Sequence, residues 1–186
     1  MTAREVRPGG LWLAAAGAAA VIAGLAEGPL EAARGGVSRS PATIAEAFGE
    51  RGLVDVTGRV WTTADVEGRT VLLDAWATWC PPCLAELPHL RALTERYEGR
   101  LLVIGLSLDT MPRRDFLSWT RRHDMRWPQV FDGRGYGGPD AARLGIDVLP
   151  MSWLFDARGR LAASNLRGAA LDGAVRTLMA QEDAAR

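Results

Sequence analysis

The feature that most constrains this chain is a pentapeptide, Trp79-Cys80-Pro81-Pro82-Cys83, set between two segments of different periodicity. Before it, Val71–Ala77 reads VLLDAWA, a nearly continuous apolar run of the kind carried by a strand buried on both faces. After it, Leu84, Leu87, Leu90, Leu93 and Tyr97 recur at helical spacing, and Gly99 closes the pattern. The pentapeptide therefore marks a strand-to-helix junction. Cys80 falls at a helix N-terminus, where free N–H groups and the helix dipole stabilise a thiolate, the reactive form of cysteine. Cys83 follows about one turn later on the same face, within disulfide reach. Pro81 and Pro82 suit the first helical turn, where no N–H partner is needed, and they stiffen the ring that a disulfide closes.

These are the only two cysteines in 186 residues. A zinc site needs four ligands and would have to recruit both histidines of the chain, His89 and His123. Covalent haem needs C-x-x-C-H, and residue 84 is leucine. A purely structural disulfide across two residues closes too small a loop to stabilise much. Redox exchange is the chemistry that best uses the pair. The 22 acidic side chains balance the 22 basic ones, so no global positive field recruits nucleic acid. Every basic residue is arginine, which excludes Schiff-base chemistry and a P-loop lysine.

At the amino end, Arg4 and Arg7 precede an uncharged stretch, residues 8–26, with the apolar heart LWLAAAGAAAVIAGLA at 11–26. Three readings stay open. Residues 1–26 form a secretory signal with small residues, Gly24 and Ala26, placed for cleavage after Ala26; or an uncleaved anchor, barely long enough against the roughly 20 residues a bilayer requires; or a soluble helix. The first two place the rest of the chain in a periplasmic or other extracytoplasmic space, soluble after cleavage or anchored by residues 8–26. Residues 27–39 read as a linker and 40–186 as one domain.

Within that domain, Ser40-Pro41 is expected to open a short helix through Phe48. Leu53–Val56 and Arg59–Trp61 form a hairpin around Thr57-Gly58. Leu101–Leu108 is a second buried strand, a helix lies between Pro112 and Asp124, and Gln129–Phe131 is a short strand. Gly133–Gly138 reads as a loose loop and Pro139–Leu144 as a short helix. Met151–Phe155 and Arg160–Ser164 make a hairpin, and Leu171, Val175, Leu178 and Met179 define a closing helix. Strands alternating with helices imply an α/β sheet covered on both faces.

The segment VLLDAWATWCPPCLAELPHL, with Glu86-Leu87-Pro88 inside it, IGLSLD at 104–109 and DVLPMSWLFDARGRL at 147–161, resembles the thioredoxin superfamily. More closely it resembles the TlpA/ResA/CcmG-like branch of exported thiol–disulfide oxidoreductases, from about Leu53 to the carboxyl end. The resemblance implies a thioredoxin-like fold: a mixed central sheet with helices on both faces and an N-terminal β-hairpin extension. It implies disulfide exchange with a partner protein, chiefly as a reductant, with an apocytochrome c or an oxidase copper-site protein as candidate substrate and a membrane electron donor. No cofactor or metal is implied beyond the Cys80–Cys83 disulfide itself.

Residue by residue, Cys80 matches the exposed nucleophile and Cys83 the buried resolving cysteine. Pro150 matches the cis-proline that faces the disulfide, leaving the Leu149 backbone to pair with an extended substrate chain. Trp79 and Pro81 join them as substrate-contacting positions. Glu86 matches an acidic residue beside the active site in several members of the branch, and Pro88 the kink proline of the helix. Trp76 matches the other flanking aromatic and is expected to pack in the core. Asp74 departs from the branch, where asparagine is common, and resembles the buried acid of cytoplasmic-type thioredoxins. A carboxylate in VLLDAWA should be pushed upward in pKa by burial, and so be fit to take the proton of Cys83 near neutral pH. The lysine that accompanies this acid in thioredoxins is missing, and Gly105 occupies its place. Asp74 and Glu86 thus compete for one role, and the alternative for Asp74 is a mere hydrogen bond to backbone.

Three other functions stay open beside reduction: a disulfide oxidant, a Cys-pair copper metallochaperone, and a peroxidase. The last shares the fold but lacks a P-x-x-x-T-x-x-C segment ahead of a lone cysteine. His123 reads as surface or core, and Arg113-Arg114 and Arg121-Arg122 as solvated faces.

Overall fold

A computed structural model describes residues 40–185. The signal or anchor expected at 1–26 and the linker expected at 27–39 lie outside the described residues. Among the described residues no helix is long and apolar enough to cross a membrane.

The chain runs through α1 (Ile44–Phe48), β1 (Leu53–Val54), β2 (Val60–Trp61), a 3-10 turn (Thr63–Val66), β3 (Thr70–Trp76) and α2 (Pro81–Arg96). It continues through β4 (Leu101–Ser107), α3 (Arg113–Arg122), β5 (Gln129–Val130), a second 3-10 turn (Gly135–Gly137), α4 (Pro139–Leu144), β6 (Met151–Phe155), β7 (Leu161–Ser164) and α5 (Gly168–Ala184). Five strands form one sheet in the order β5-β4-β3-β6-β7. β3, β4 and β5 are parallel, and β6 and β7 are antiparallel additions. This is the thioredoxin-like arrangement expected from the sequence, with β1 and β2 as the N-terminal hairpin.

β3 sits at the centre, and all seven of its residues are buried. Successive side chains of a strand point to opposite faces. Val71, Leu73 and Ala75 join Ile44, Phe48, Trp61 and Leu144 in one core, beneath α1, the hairpin and α4. Leu72 and Trp76 join Leu87, Leu90, Phe116, Leu171 and Val175 in the other, beneath α2, α3 and α5. Asp74 falls in the register of this second face, paired along the sheet with Gly105 on β4 and Ser152 on β6.

Two local expectations are corrected. The first helix starts at Ile44 instead of following Ser40-Pro41. Thr43 is its cap: Thr43 Oγ1 accepts from Glu46 N at 3.2 Å, and Glu46 reaches back to Ala42 N at 2.8 Å. Residues 42–43 instead lie along the start of β7, with Leu161 N donating to Ala42 O at 2.9 Å. The first hairpin is also shorter than expected, ending at Val54. The Asp55 carboxylate gathers the turn, accepting from Thr57 N at 2.7 Å, Thr57 Oγ1 at 2.6 Å and Trp61 Nε1 at 2.9 Å. Val56 is drawn off to the main sheet, where its N–H donates to Gln129 O at 2.7 Å.

Candidate active site

β3 delivers the chain through Ala77 and Thr78 to the cysteine pair. The delivery loop is pinned by Asp109, just past the end of β4. Its buried carboxylate accepts from Thr78 N at 3.1 Å, Thr78 Oγ1 at 2.6 Å and Ser107 Oγ at 2.8 Å. Cys80 is the N-cap of α2, and Pro81 and Pro82 fill its first turn. Cys80 and Cys83 are joined in a disulfide with Cα atoms 5.3 Å apart, and Cys80 Sγ accepts from Cys83 N at 3.3 Å. An N–H aimed at a sulfur and a helix N-terminus behind it both favour a thiolate there once the bond is reduced.

The resemblance implied an exposed Cys80. In this disulfide-closed form it is only 5% exposed, against 2% for Cys83. Both cysteines belong to the apolar cluster beneath α2. The exposed part of the motif is Trp79, at 56%, together with Pro81 and Pro82. Trp76 is core, its ring 5.3 Å from Trp119 and 5.9 Å from Phe116, and its Nε1 donates to Gln129 Oε1 at 3.0 Å. Pro88 lies inside α2.

The Leu149–Pro150 peptide is cis. Pro150 is buried and Leu149 half-buried, and β6 pairing begins only at Met151, so Leu149 lies outside the ladder. Behind this turn lies a small pocket lined by Asp74, Glu86, Pro150, Ser152 and Arg167. Burial, reinforced by the charge of Glu86 and opposed by that of Arg167, pushes Asp74 up to about 7. No hydrogen bond reaches its carboxylate among the described residues. Glu86 has a structural partner instead: its Oε2 accepts from Gly168 N at 2.8 Å, capping the start of α5.

Three residues near this region gave no functional signal in the sequence. Asp109 was visible only as part of IGLSLD, and Arg167 only as one more arginine. Tyr136 belongs to the segment expected as a loose loop. The 3-10 turn there sets its exposed ring 6.4 Å from that of Trp79. His123 is half-buried, stacked on Trp119 at 3.6 Å with Nδ1 2.8 Å from Trp119 O. Arg113 donates to Val56 O, so it braces the loop where Val56 meets the main sheet and is not a purely solvated residue. Among the described residues, no group of three His, Cys, Asp or Glu side chains is placed to hold a metal ion.

Residues 44–164 match the model of the AhpC/TSA family. The chain is 28% identical over 110 residues to the thiol-disulfide oxidoreductase ResA of Bacillus thuringiensis, covering 59% of this chain and 61% of that one. It is 26% identical over 109 residues to the thioredoxin-like protein YneN of Bacillus subtilis, covering 58% and 62%. The chain thus spans about three fifths of the length of these curated relatives. Among solved structures, a thiol-disulfide oxidoreductase from Bacteroides fragilis superposes with a TM-score of 0.60 at 27% identity, covering 68% of this chain and 94% of that one.

Proposed function

Because the chain belongs to the AhpC/TSA family, we propose that it is a thiol–disulfide oxidoreductase of the extracytoplasmic space that reduces a disulfide in a partner protein. The observation that carries this reading is the cysteine pair heading α2, in the same fold as a cis Leu149–Pro150 turn and a buried acid of near-neutral pKa. The names of its relatives, a thiol-disulfide oxidoreductase in two cases, support the reaction class. The apolar stretch at 11–26 behind Arg4 and Arg7 supports the compartment.

In the reduced protein the Cys80 thiolate attacks one sulfur of the partner's disulfide. A mixed disulfide forms, and the displaced partner thiolate takes up a proton. Cys83 then gives its proton to the Asp74 carboxylate and attacks Cys80 Sγ. That closes the Cys80–Cys83 bond and releases the second partner thiolate, which is protonated in turn. The partner gains two electrons and this protein loses two, so an external dithiol, on this reading a membrane donor, must return them. Trp79, Pro81 and the Leu149–Pro150 backbone hold the partner chain beside the sulfurs. An apocytochrome c or an oxidase copper-site protein fits as substrate, since both carry cysteine pairs that must be reduced before a metal or haem is attached.

Cys83→Ser in the native envelope should trap partners as mixed disulfides on Cys80, seen as bands that collapse on reduction. Cys80→Ser should trap none. Equal trapping by both variants, or by neither, rejects this reading.

A further inference from the structure

From Asn165 to Gly168, the passage from β7 into α5 is fastened at every residue, twice to Ser152 of β6, once to the cis-proline turn and once to Glu86 of α2. Asn165 takes a left-handed conformation, φ +56°, which asparagine tolerates better than most residues. Its N–H donates to Ser152 O at 2.8 Å, and its Oδ1 accepts from Ser152 N at 3.4 Å. Ser152 Oγ donates to Leu166 O at 3.1 Å. Arg167 Nη2 donates to the carbonyl of Pro150. Gly168 N donates to Glu86 Oε2 at 2.8 Å. This strap places one guanidinium at a pocket it shares with Asp74, Glu86 and Pro150.

We propose that Arg167 is a positioning residue which ties the backbone of the partner-docking turn to the Asp74–Glu86 acid pair, so that one cation serves both docking and proton transfer. This rests on the function proposed above. The guanidinium has donors to spare, since the bond to Pro150 O uses one of five N–H groups in a planar fork. By holding the Pro150 carbonyl, it sets the pose of the neighbouring Leu149 backbone that a substrate strand would meet. By its charge, it opposes the burial and the Glu86 repulsion that favour the neutral form of Asp74. A docked chain that shifts the turn would move the cation relative to the acid, linking arrival of a partner to readiness of the base.

The groups facing Asp74 are few. Glu86 faces it from α2 and Arg167 from the strap before α5. Its sheet neighbours Gly105 and Ser152 carry no charge. The cysteines in their disulfide do not titrate. The nearby contact of His89 Nδ1 with Asp172 Oδ2, 2.9 Å, joins α2 to α5 one turn further along. Neither residue is among the charges that act on Asp74.

The test uses the full chain with Arg167→Gln and Arg167→Lys. Carbon NMR of the oxidised protein follows the Asp74 carboxyl group against pH, a measurement that needs no turnover. In Arg167→Gln the titration midpoint should move upward by about one pH unit, as expected for losing a nearby opposite charge. Arg167→Lys keeps the charge and should restore the midpoint. For an oxidised peptide dithiol, KM should rise several-fold in Arg167→Gln, because the Pro150 carbonyl loses its donor. An unmoved midpoint, an unmoved KM, or a midpoint that Arg167→Lys fails to restore overturns the proposal. If wild-type protein exchanges no disulfides at all, the proposed function falls on its own, and the titration still decides the electrostatic role of Arg167.

Discussion

Asp74 makes the stability of the folded chain depend on pH in a direction opposite to that of most carboxylates. Its pKa is raised from an ordinary 3.8 to about 7, first by burial and then by Glu86. Between those values the folded chain holds a proton that the unfolded chain has lost. The contribution of Asp74 to stability is therefore greatest below about pH 4, is lost as pH rises to about 7, and is level above that. At 1.36 kcal/mol for each tenfold step, the span is roughly 4 kcal/mol. Asp74→Asn keeps the shape and removes the titration. Urea unfolding of the oxidised variant should show little change from wild type near pH 4 and a gain of several kcal/mol near pH 8. Parallel stability curves for the two proteins would show that Asp74 is not a buried acid. The same variant should slow release of a trapped mixed disulfide near neutral pH. Across the sheet, Gly105 explains why no lysine accompanies this acid. A Cβ there would collide with Gln129 Oε1 and stand 2.9 Å from Trp76 Nε1, two atoms already bonded to each other. Gly105→Ala should cost about 1–3 kcal/mol by overpacking, read as a lowered urea midpoint. The sequence showed that a lysine was missing. It could not show that an indole and an amide fill the space.

At the scale of elements, the reactive loop depends on a residue outside it. Asp109 receives two bonds from Thr78, so the end of β4 fixes where β3 lets go of the chain and where α2 begins. Asp109→Ala leaves the half-buried Thr78 N–H and the Thr78 and Ser107 hydroxyls short of an acceptor, at about 2–3 kcal/mol. Amide exchange at Thr78 and Trp79 should speed up more than exchange in β3 itself; uniform acceleration would mean that Asp109 serves global stability alone. The strong periodicities were legible: β3 and β4 begin and end within a residue of where apolar spacing puts them, α2 begins three residues before Leu84, and α5 carries the spaced residues Leu171, Val175, Leu178 and Met179. What periodicity cannot carry is a choice among neighbouring caps or a long-range bond. Ser40 and Thr43 are both acceptable caps, and the contact of Thr43 with Glu46 decides between them. Val56 continues the first hairpin by pattern, yet its N–H is claimed by Gln129, a residue whose approach only the assembled sheet reveals. Arg167 and Gly168 reach Pro150 and Glu86 across 17 and 82 positions, and nothing in their spacing announces it.

Over the whole molecule, α5 closes the core that contains the cysteines. Leu171, Val175, Leu178 and Met179 are buried against it, and its far end is held by Thr70 to Glu182 and by Arg100 to Asp183 at 2.9 Å. Ending the chain after Arg167 should abolish cooperative unfolding, because four apolar side chains at about 1.5–3 kcal/mol each are lost from one face. Circular dichroism against urea checks this, and a sharp transition retained by the truncated chain would show that α5 is peripheral. The outer rims of the sheet have a further consequence. β5 offers only two residues, and Asp55 bridges to Val130 on its open side. Residues 42–43 lie along the beginning of β7, which is itself broken by an irregularity against β6. Short, covered or kinked rims are poor templates for foreign strands. On the proposed function, a chain that docks as an added strand therefore finds little purchase at either rim of this sheet, and repeated encounters with partner chains need not turn the fold into a seed for aggregation.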